Sequence, residues 1–267
     1  MQLTFIDFFA GIGGMRTGFE RAGWKCLGFC EFDRYARQSY KAIYDTEGEW
    51  ENHDIRTASS MELPKANLWT YGFPCQGISV AGAGKGIGKG AEDKEADERS
   101  NLFYQIIRLL QGMSEEDRPE WLLCENVKNL LSIDRGYGML RVLCCLDEAG
   151  YDSQWQVFNT KYSYIVGGTI IDGIPQNRER VYIVSHLRRK GRREVFPIPR
   201  ADKQNPAELS QIGKLKTQTN CNEDFVSTTN RENPQRMRVY DKGGLSPALN
   251  TMQGGGHEPY IVNGEYP

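Results

Sequence analysis

Leu3-Thr4-Phe5-Ile6-Asp7-Phe8-Phe9-Ala10-Gly11-Ile12-Gly13-Gly14 is the stretch on which the fold turns. Residues 3–9 form a short apolar run of the kind that makes a buried strand, and the glycines after Phe9 interrupt it with a tight turn. Residues 15–22 then carry helical spacing, Gly23 ends them, and residues 25–30 start a second apolar run. Strand, glycine turn, helix and strand in that order make a β-α-β unit.

The same alternation continues outward. Further strands are expected at 68–72, 121–124, 154–159 and 181–185, with helices at 35–44, 101–112 and 139–149. Such alternation predicts an α/β domain whose mostly parallel sheet is covered by helices on both faces. From His186 onward the pattern stops and the chain becomes polar, with Pro and Asn throughout. Residues 1–185 are therefore expected to form one domain and residues 186–267 a second, smaller one. Residues 81–100 are glycine-rich and then charge-rich, which predicts a long loop, and long loops beside a pocket often serve as lids.

Composition narrows the field. The 267 residues are 39% hydrophobic, 11% aromatic and 25% charged, as in ordinary globular proteins. No apolar run approaches the roughly 20 residues of a membrane span, and the first residues lack a basic signal region. A cytoplasmic protein of a bacterial or phage-infected cell, with no membrane partner, is the expectation. The seven cysteines are odd in number and include no C-x-x-C pair, which argues against a disulfide framework and a four-cysteine zinc site. The three histidines are scattered, so no metal is expected. With a formal net charge of −2, any contact with nucleic acid must rest on a local basic patch.

The glycine turn is not a dinucleotide fingerprint, because Arg16 stands where the third glycine belongs. Gly86-Ile87-Gly88-Lys89-Gly90 is not a phosphate loop either, since no Ser or Thr follows the lysine. What remains is a turn where backbone can approach a ligand that need carry no phosphate. Glu31 ends the second strand, where an acid can accept hydrogen bonds from ribose hydroxyls. Tyr71-Gly72-Phe73-Pro74-Cys75-Gln76-Gly77 lies just past another strand. Cys75 stands apart from the other cysteines there, because Pro74 fixes the chain before it and the long loop follows. As a thiolate, cysteine is a strong nucleophile.

Taken together these segments resemble the cytosine-C5 DNA methyltransferase family, in order and over nearly the whole chain. The residues from Asp7 to Gly14 are similar to its first motif, which implies that Phe9, Ala10, Gly11, Gly13 and Gly14 bind S-adenosylmethionine. Glu31 and Phe32 match the ribose-binding acid and the aromatic that stacks on adenine, and Asp54 and Ile55 the pair at the adenine edge. Gly72-Phe73-Pro74-Cys75-Gln76 resembles the catalytic loop, with Phe73 and Pro74 against the cofactor and Gln76 toward DNA. The segment from Arg99 to Phe103 resembles the piece that closes that loop near the cofactor through Leu102. Glu125-Asn126-Val127 and Gln176-Asn177-Arg178-Glu179-Arg180 complete the active-site set. Arg238-Val239-Tyr240-Asp241 through Met252 resembles the motif that supports the recognition domain.

The resemblance implies a Rossmann-like methyltransferase fold and methyl transfer from S-adenosylmethionine to carbon 5 of cytosine in double-stranded DNA. Carbon 5 is a poor nucleophile until a thiolate adds at carbon 6, which assigns Cys75 as nucleophile and Glu125 as the acid at ring nitrogen 3. Arg178 and Arg180 are two apart; if extended chain reaches back to them their side chains share a face. They could then grip the cytosine carbonyl and position Glu125 or Cys75. The target base must leave the duplex to be reached. Arg188, Arg189, Arg192 and Arg193 form the basic run suited to phosphate contacts. The family's final motif is missing after Arg238–Met252, so a monomer with impaired activity is expected, or a second polypeptide that supplies the motif. A transfer-RNA methyltransferase and a non-catalytic DNA-binding remnant are the rival expectations.

Overall fold

The computed structural model describes residues 2–74 and 102–201, and beyond them the backbone of short strands between 211 and 261. The first strand, β1 (Thr4–Phe8), leads through the glycine turn into α1 (Gly14–Arg21) and β2 (Lys25–Cys30). α2 (Arg34–Ile43), β3 (Trp50–Asn52), β4 (Leu68–Tyr71), α3 (Phe103–Gln111) and β5 (Trp121–Val127) follow. α4 (Tyr137–Glu148) and β6 (Tyr151–Asn159) come next, then β7 (Tyr164–Val166), β8 (Thr169–Ile171), β9 (Gln176–Asn177) and β10 (Glu179–Leu187). The chain divides into two compact units, residues 1–157 with 180–197, and residues 158–179 with 198–267.

The first unit is built on a seven-stranded sheet of order β3-β2-β1-β4-β5-β10-β6. β1, β2, β3, β4 and β5 pair in parallel, as the alternation of strands and helices predicts, whereas β10 runs antiparallel to β5. No helix separates β6 from β10 in sequence, and without a crossover helix a strand is free to return antiparallel. The chain leaves β1 toward β2 on one side and takes up β4 on the other. This reversal opens a crevice at the carboxyl ends of β1 and β4, the place where open α/β sheets bind ligands.

Alternation along β1 feeds two cores. Ile6 and Phe8 are fully buried among Trp69, Tyr71, Phe103, Ile106 and Leu110, where α3 and α4 cover the sheet. Phe5 is buried with Cys26 and Leu68 on the opposite face, where Phe19 of α1 joins them. A central strand buried on both faces must be apolar nearly throughout, which is why residues 3–9 form a continuous run. Each buried Phe, Ile or Leu contributes roughly 1.5–3 kcal/mol relative to exposure. α2 is started by Asp33, whose carboxylate accepts the Ala36 N–H at 2.8 Å.

In the second unit β7 and β8 form a hairpin closed by Gly167 and Gly168, both at positive φ as a tight hairpin turn requires. β11 (Gln211–Leu215), β12 (Phe225–Val226), β13 (Arg238–Tyr240) and β15 (Tyr260–Ile261) make a small sheet of order β12-β11-β13-β15, with β14 (Ser246–Pro247) between the last two in sequence. β14 pairs in parallel with β9. Among the described residues no helix is long and apolar enough to cross a membrane.

Candidate active site

The glycine turn is held open by unusual backbone. Phe9 has φ +54°, a left-handed conformation that L residues other than glycine adopt at a cost. The Ala10 N–H donates to the Cys30 carbonyl at 3.1 Å, which ties the turn to β2. Gly11, at φ +56°, donates its N–H to Glu31 Oε2 at 2.8 Å, and the other oxygen of Glu31 accepts the Asp33 N–H at 2.7 Å. Gly13 has φ +91° and a Cβ there would lie 2.2 Å from the Tyr44 ring, so a side chain would have to strain the backbone and push that ring aside. Tyr44 in turn donates its hydroxyl to the Gly13 carbonyl at 2.7 Å and hydrogen-bonds with Thr17. In front of Gly11 and Gly14 the ground is open: a Cβ on either would meet no described atom within 4 Å. The N-terminal N–H groups of α1, which Gly13 has no side chain to cap, lie at this opening.

Arg16 explains why no third glycine is wanted. It is 3% exposed and binds Glu20 at 2.7 Å, Glu49 at 2.8 and 2.9 Å, and the Asp45 carbonyl at 3.0 Å. Its guanidinium also lies over the Tyr44 ring. α1 is thereby clamped to the segment after α2. Asp7, buried on the same side, accepts the Thr70 hydroxyl at 2.8 Å through Oδ1. Oδ2 of Asp7 has no hydrogen-bond partner among the described residues. Burial pushes the Asp7 carboxyl up to about 7, against the opposing hydrogen bond from Thr70.

Beyond the turn, Phe32 presents a ring that is 70% exposed, while Ile55 is buried. Asp54 is held by Arg56, whose hydrogen bonds keep the carboxyl below its ordinary range against partial burial.

The second cluster gathers where β4 and β5 end. Phe73 is buried, its ring 5.4 Å from that of Phe103, and Pro74 leads out of the core. Leu102, half-buried, packs against the core that holds both rings. Gly72 lies under Glu125: a Cβ on it would sit 3.3 Å from the Glu125 carbonyl and 3.6 Å from Oε2. Asn126, 2% exposed, donates from Nδ2 to the Phe73 carbonyl at 3.2 Å. Arg180 Nε donates to Glu125 Oε1 at 3.0 Å across the antiparallel β5–β10 pair. Glu125 and Arg180 are thus a partly exposed ion pair facing the segment that leads into Cys75. Cys75, Gln76 and residues 81–100 lie outside the described residues.

Extended chain reaches back to Glu179, so Arg180 lies within β10. Arg178 sits between β9 and β10 and belongs to the second unit, where its N–H donates to the Gln176 carbonyl and its own carbonyl accepts the Thr160 N–H. The basic run occupies the other end of β10. Register pairs Arg180 with Val127 but His186 with Trp121, so the run begins where β5 starts rather than where Glu125 stands. Arg188 binds Asp152 at 2.7 Å and also Asp147, and Arg189 donates to the Glu115 carbonyl at 2.6 Å. Arg192 is exposed, 3.6 Å from Glu194, and Arg193 is exposed as well.

Three contacts were not legible in the sequence: the Arg56 fork on Asp54, the Tyr44 brace behind Gly13 and the Asn126 bond to the Phe73 carbonyl. Of these only Arg56 had a local signal, an arginine two residues after an acid.

A model of the C-5 cytosine-specific DNA methylase family matches residues 3–253. The chain is 34% identical over 215 residues to Type II methyltransferase M.DsaV of Dactylococcopsis salina, covering 80% of this chain and 53% of that protein. It is 38% identical over 188 residues to Type II methyltransferase M.NlaX of Neisseria lactamica, covering 70% of this chain and 53% of the relative. It therefore spans about half the length of the curated relatives it matches. Among solved structures, a putative DNA modification methyltransferase from an Escherichia coli prophage superposes with TM-score 0.53 at 20% identity, over 73% of this chain and 49% of that one. The Entamoeba histolytica methyltransferase EhMeth superposes with TM-score 0.52 at 18% identity, over 73% and 56%. The fold is that of these methyltransferases, and the chain belongs to the C-5 cytosine-specific DNA methylase family.

Proposed function

We propose that the protein transfers a methyl group from S-adenosylmethionine to carbon 5 of cytosine in double-stranded DNA, with Cys75 as covalent nucleophile. The observation that carries this reading is the placement of Glu125: its carboxylate lies against Gly72, three residues before Cys75, and is held from the other side by Arg180. A ring in contact with both Cys75 and Glu125 would meet a nucleophile and an acid together.

The residues at the glycine turn fit the cofactor. Open ground before Gly11 and Gly14, a Glu31 carboxylate oriented by two backbone N–H groups, and an exposed Phe32 ring suit an adenosine whose ribose hydroxyls donate to Glu31. Phe9, Ala10, Gly13, Asp54 and Ile55 would line the same site, with Phe73, Pro74 and Leu102 at its boundary with the catalytic segment. When bound, S-adenosylmethionine supplies an electrophilic methyl group.

The chain's own groups would do the rest. The Cys75 thiolate adds to carbon 6 while Glu125 shares a proton with ring nitrogen 3, and carbon 5 becomes electron-rich. Arg180 keeps Glu125 aimed, and Arg178 is assigned to the cytosine carbonyl. After methylation, loss of the carbon-5 proton to a base and departure of the thiolate restore the aromatic ring. The cytosine reaches this site by leaving the duplex. Residues 186–267 are assigned to reading the target, and the exposed Arg192 and Arg193 to phosphate contact.

The test uses duplex DNA bearing 5-fluorocytosine, which has no carbon-5 proton to lose and so traps the adduct. With S-adenosylmethionine the expected result is a covalent complex that Cys75→Ser abolishes. Trapping on transfer RNA but not on duplex DNA would overturn the substrate, and salt-sensitive DNA binding without any trapping would overturn the activity.

A further inference from the structure

The adenine end of the proposed cofactor site is covered by one of the chain's own side chains. Asp54 Oδ1 accepts the backbone N–H of Arg56 at 3.0 Å and its Nε at 2.9 Å. Oδ2 accepts the same Nε at 2.9 Å and a terminal guanidinium nitrogen at 2.7 Å. A carboxylate has about four lone-pair sites, so Arg56 takes up nearly all that Asp54 can offer an incoming amino group. Independently, the guanidinium carbon lies 5.8 Å from the centre of the Phe32 ring, over one face. A base stacked on that face would lie about 3.5 Å above it and need about as much again on its outer side, roughly 7 Å in all. The guanidinium stands inside that distance.

We propose that Arg56 is a displaceable latch on the adenine subsite, whose exchange for the adenine amino group at Asp54 sets the affinity of the cofactor and makes it salt-dependent. This rests on the assignment of Glu31, Phe32 and Asp54 to the adenosine of S-adenosylmethionine. Two features make the exchange feasible. The Arg56 side chain is 56% exposed, so its head can move into water without opening the core. An ion pair this exposed is held only weakly, and salt weakens it further.

The test is calorimetric binding of S-adenosylhomocysteine to the full chain and to the variants Arg56→Ala and Arg56→Lys, with folding followed by circular dichroism. Arg56→Ala should bind about threefold to fivefold more tightly than the parent at low salt, the range an exposed pair can account for. Parent affinity should rise as sodium chloride is increased, and that of Arg56→Ala should not. Arg56→Lys, which keeps the charge but loses the fork, should fall between them. Unchanged or weaker binding by Arg56→Ala, with the parent still binding, overturns the latch and leaves the cofactor site standing. Failure of both folded proteins to bind S-adenosylhomocysteine overturns the cofactor assignment and the latch together.

Discussion

The two ends of the large sheet are made of similar residue types and put them to opposite uses. Where β5 begins, side chains mostly pair with one another: His186 Nε2 lies 3.2 Å from Glu120, though its Nδ1 has no partner among the described residues, and Arg188 binds Asp147 and Asp152. Where β5 ends, local preferences are overridden. Phe9 is left-handed, Gly13 sits where a side chain would push the Tyr44 ring aside, Gly72 is crowded by Glu125, and Asp7 is buried with an oxygen unpaired among the described residues. Features of this kind gather at functional sites and are tolerated because the surrounding structure over-determines them. The comparison teaches that neither an acid nor an arginine marks a site; its place along the strand does.

The strongest way to break this contrast is Glu125→Gln. It keeps the size of the side chain, so the fold should persist, but methyl transfer should fall by about 10³-fold, within the range expected for loss of a general acid. Transfer of a tritiated methyl group to duplex DNA measures it, and activity within tenfold of the parent would contradict the role.

A second test uses the buried carboxyl. Asp7 titrates near 4 in the unfolded chain and is pushed up to about 7 in the fold by burial. Between those values the folded state holds a proton that the unfolded state has released, so rising pH removes stability until about pH 7 and no further. Asp7→Asn, which still accepts from Thr70, should abolish this decline. The variant should therefore gain on the parent by on the order of 2–4 kcal/mol between pH 4 and pH 7.5, as read by urea unfolding. A constant difference across that range would show that Asp7 titrates in the fold as it does in the unfolded chain.

Asn126→Ala removes the donor from the Phe73 carbonyl inside the core. A cost of about 1–3 kcal/mol is expected from the buried acceptor left unpaired, with a loss of methyl transfer that Glu125 alone cannot explain. Arg188→Ala, at the other end of the sheet, should leave both stability and methyl transfer nearly unchanged. A fall in DNA affinity would move Arg188 from the scaffold to the phosphate contacts.

The order of strands and helices was visible in advance because each depends on neighbours in sequence. The apolar run of 3–9, the glycine turn and residues 25–30 fell close to β1, the α1 turn and β2. β3 was missed, since its three residues are too few to show a period. The extent of β10 was understated at 181–185, because Glu179 and Arg180 are polar and nothing apolar announces them.

Motif chemistry and the β-α-β rhythm were thus readable from the chain alone, since both are written in residues a few positions apart. The meeting of Glu125 with Arg180, the bond from Asn126 to Phe73 and the diversion of Arg188 to Asp147 and Asp152 were not. Each joins residues separated by dozens of positions: the first exists because β10 runs antiparallel beside β5, the second because β4 runs parallel beside β5, and the third because β10 also lies next to β6. Local spacing carries no information about which strand a returning segment will join, or in which register, so those contacts arise from packing.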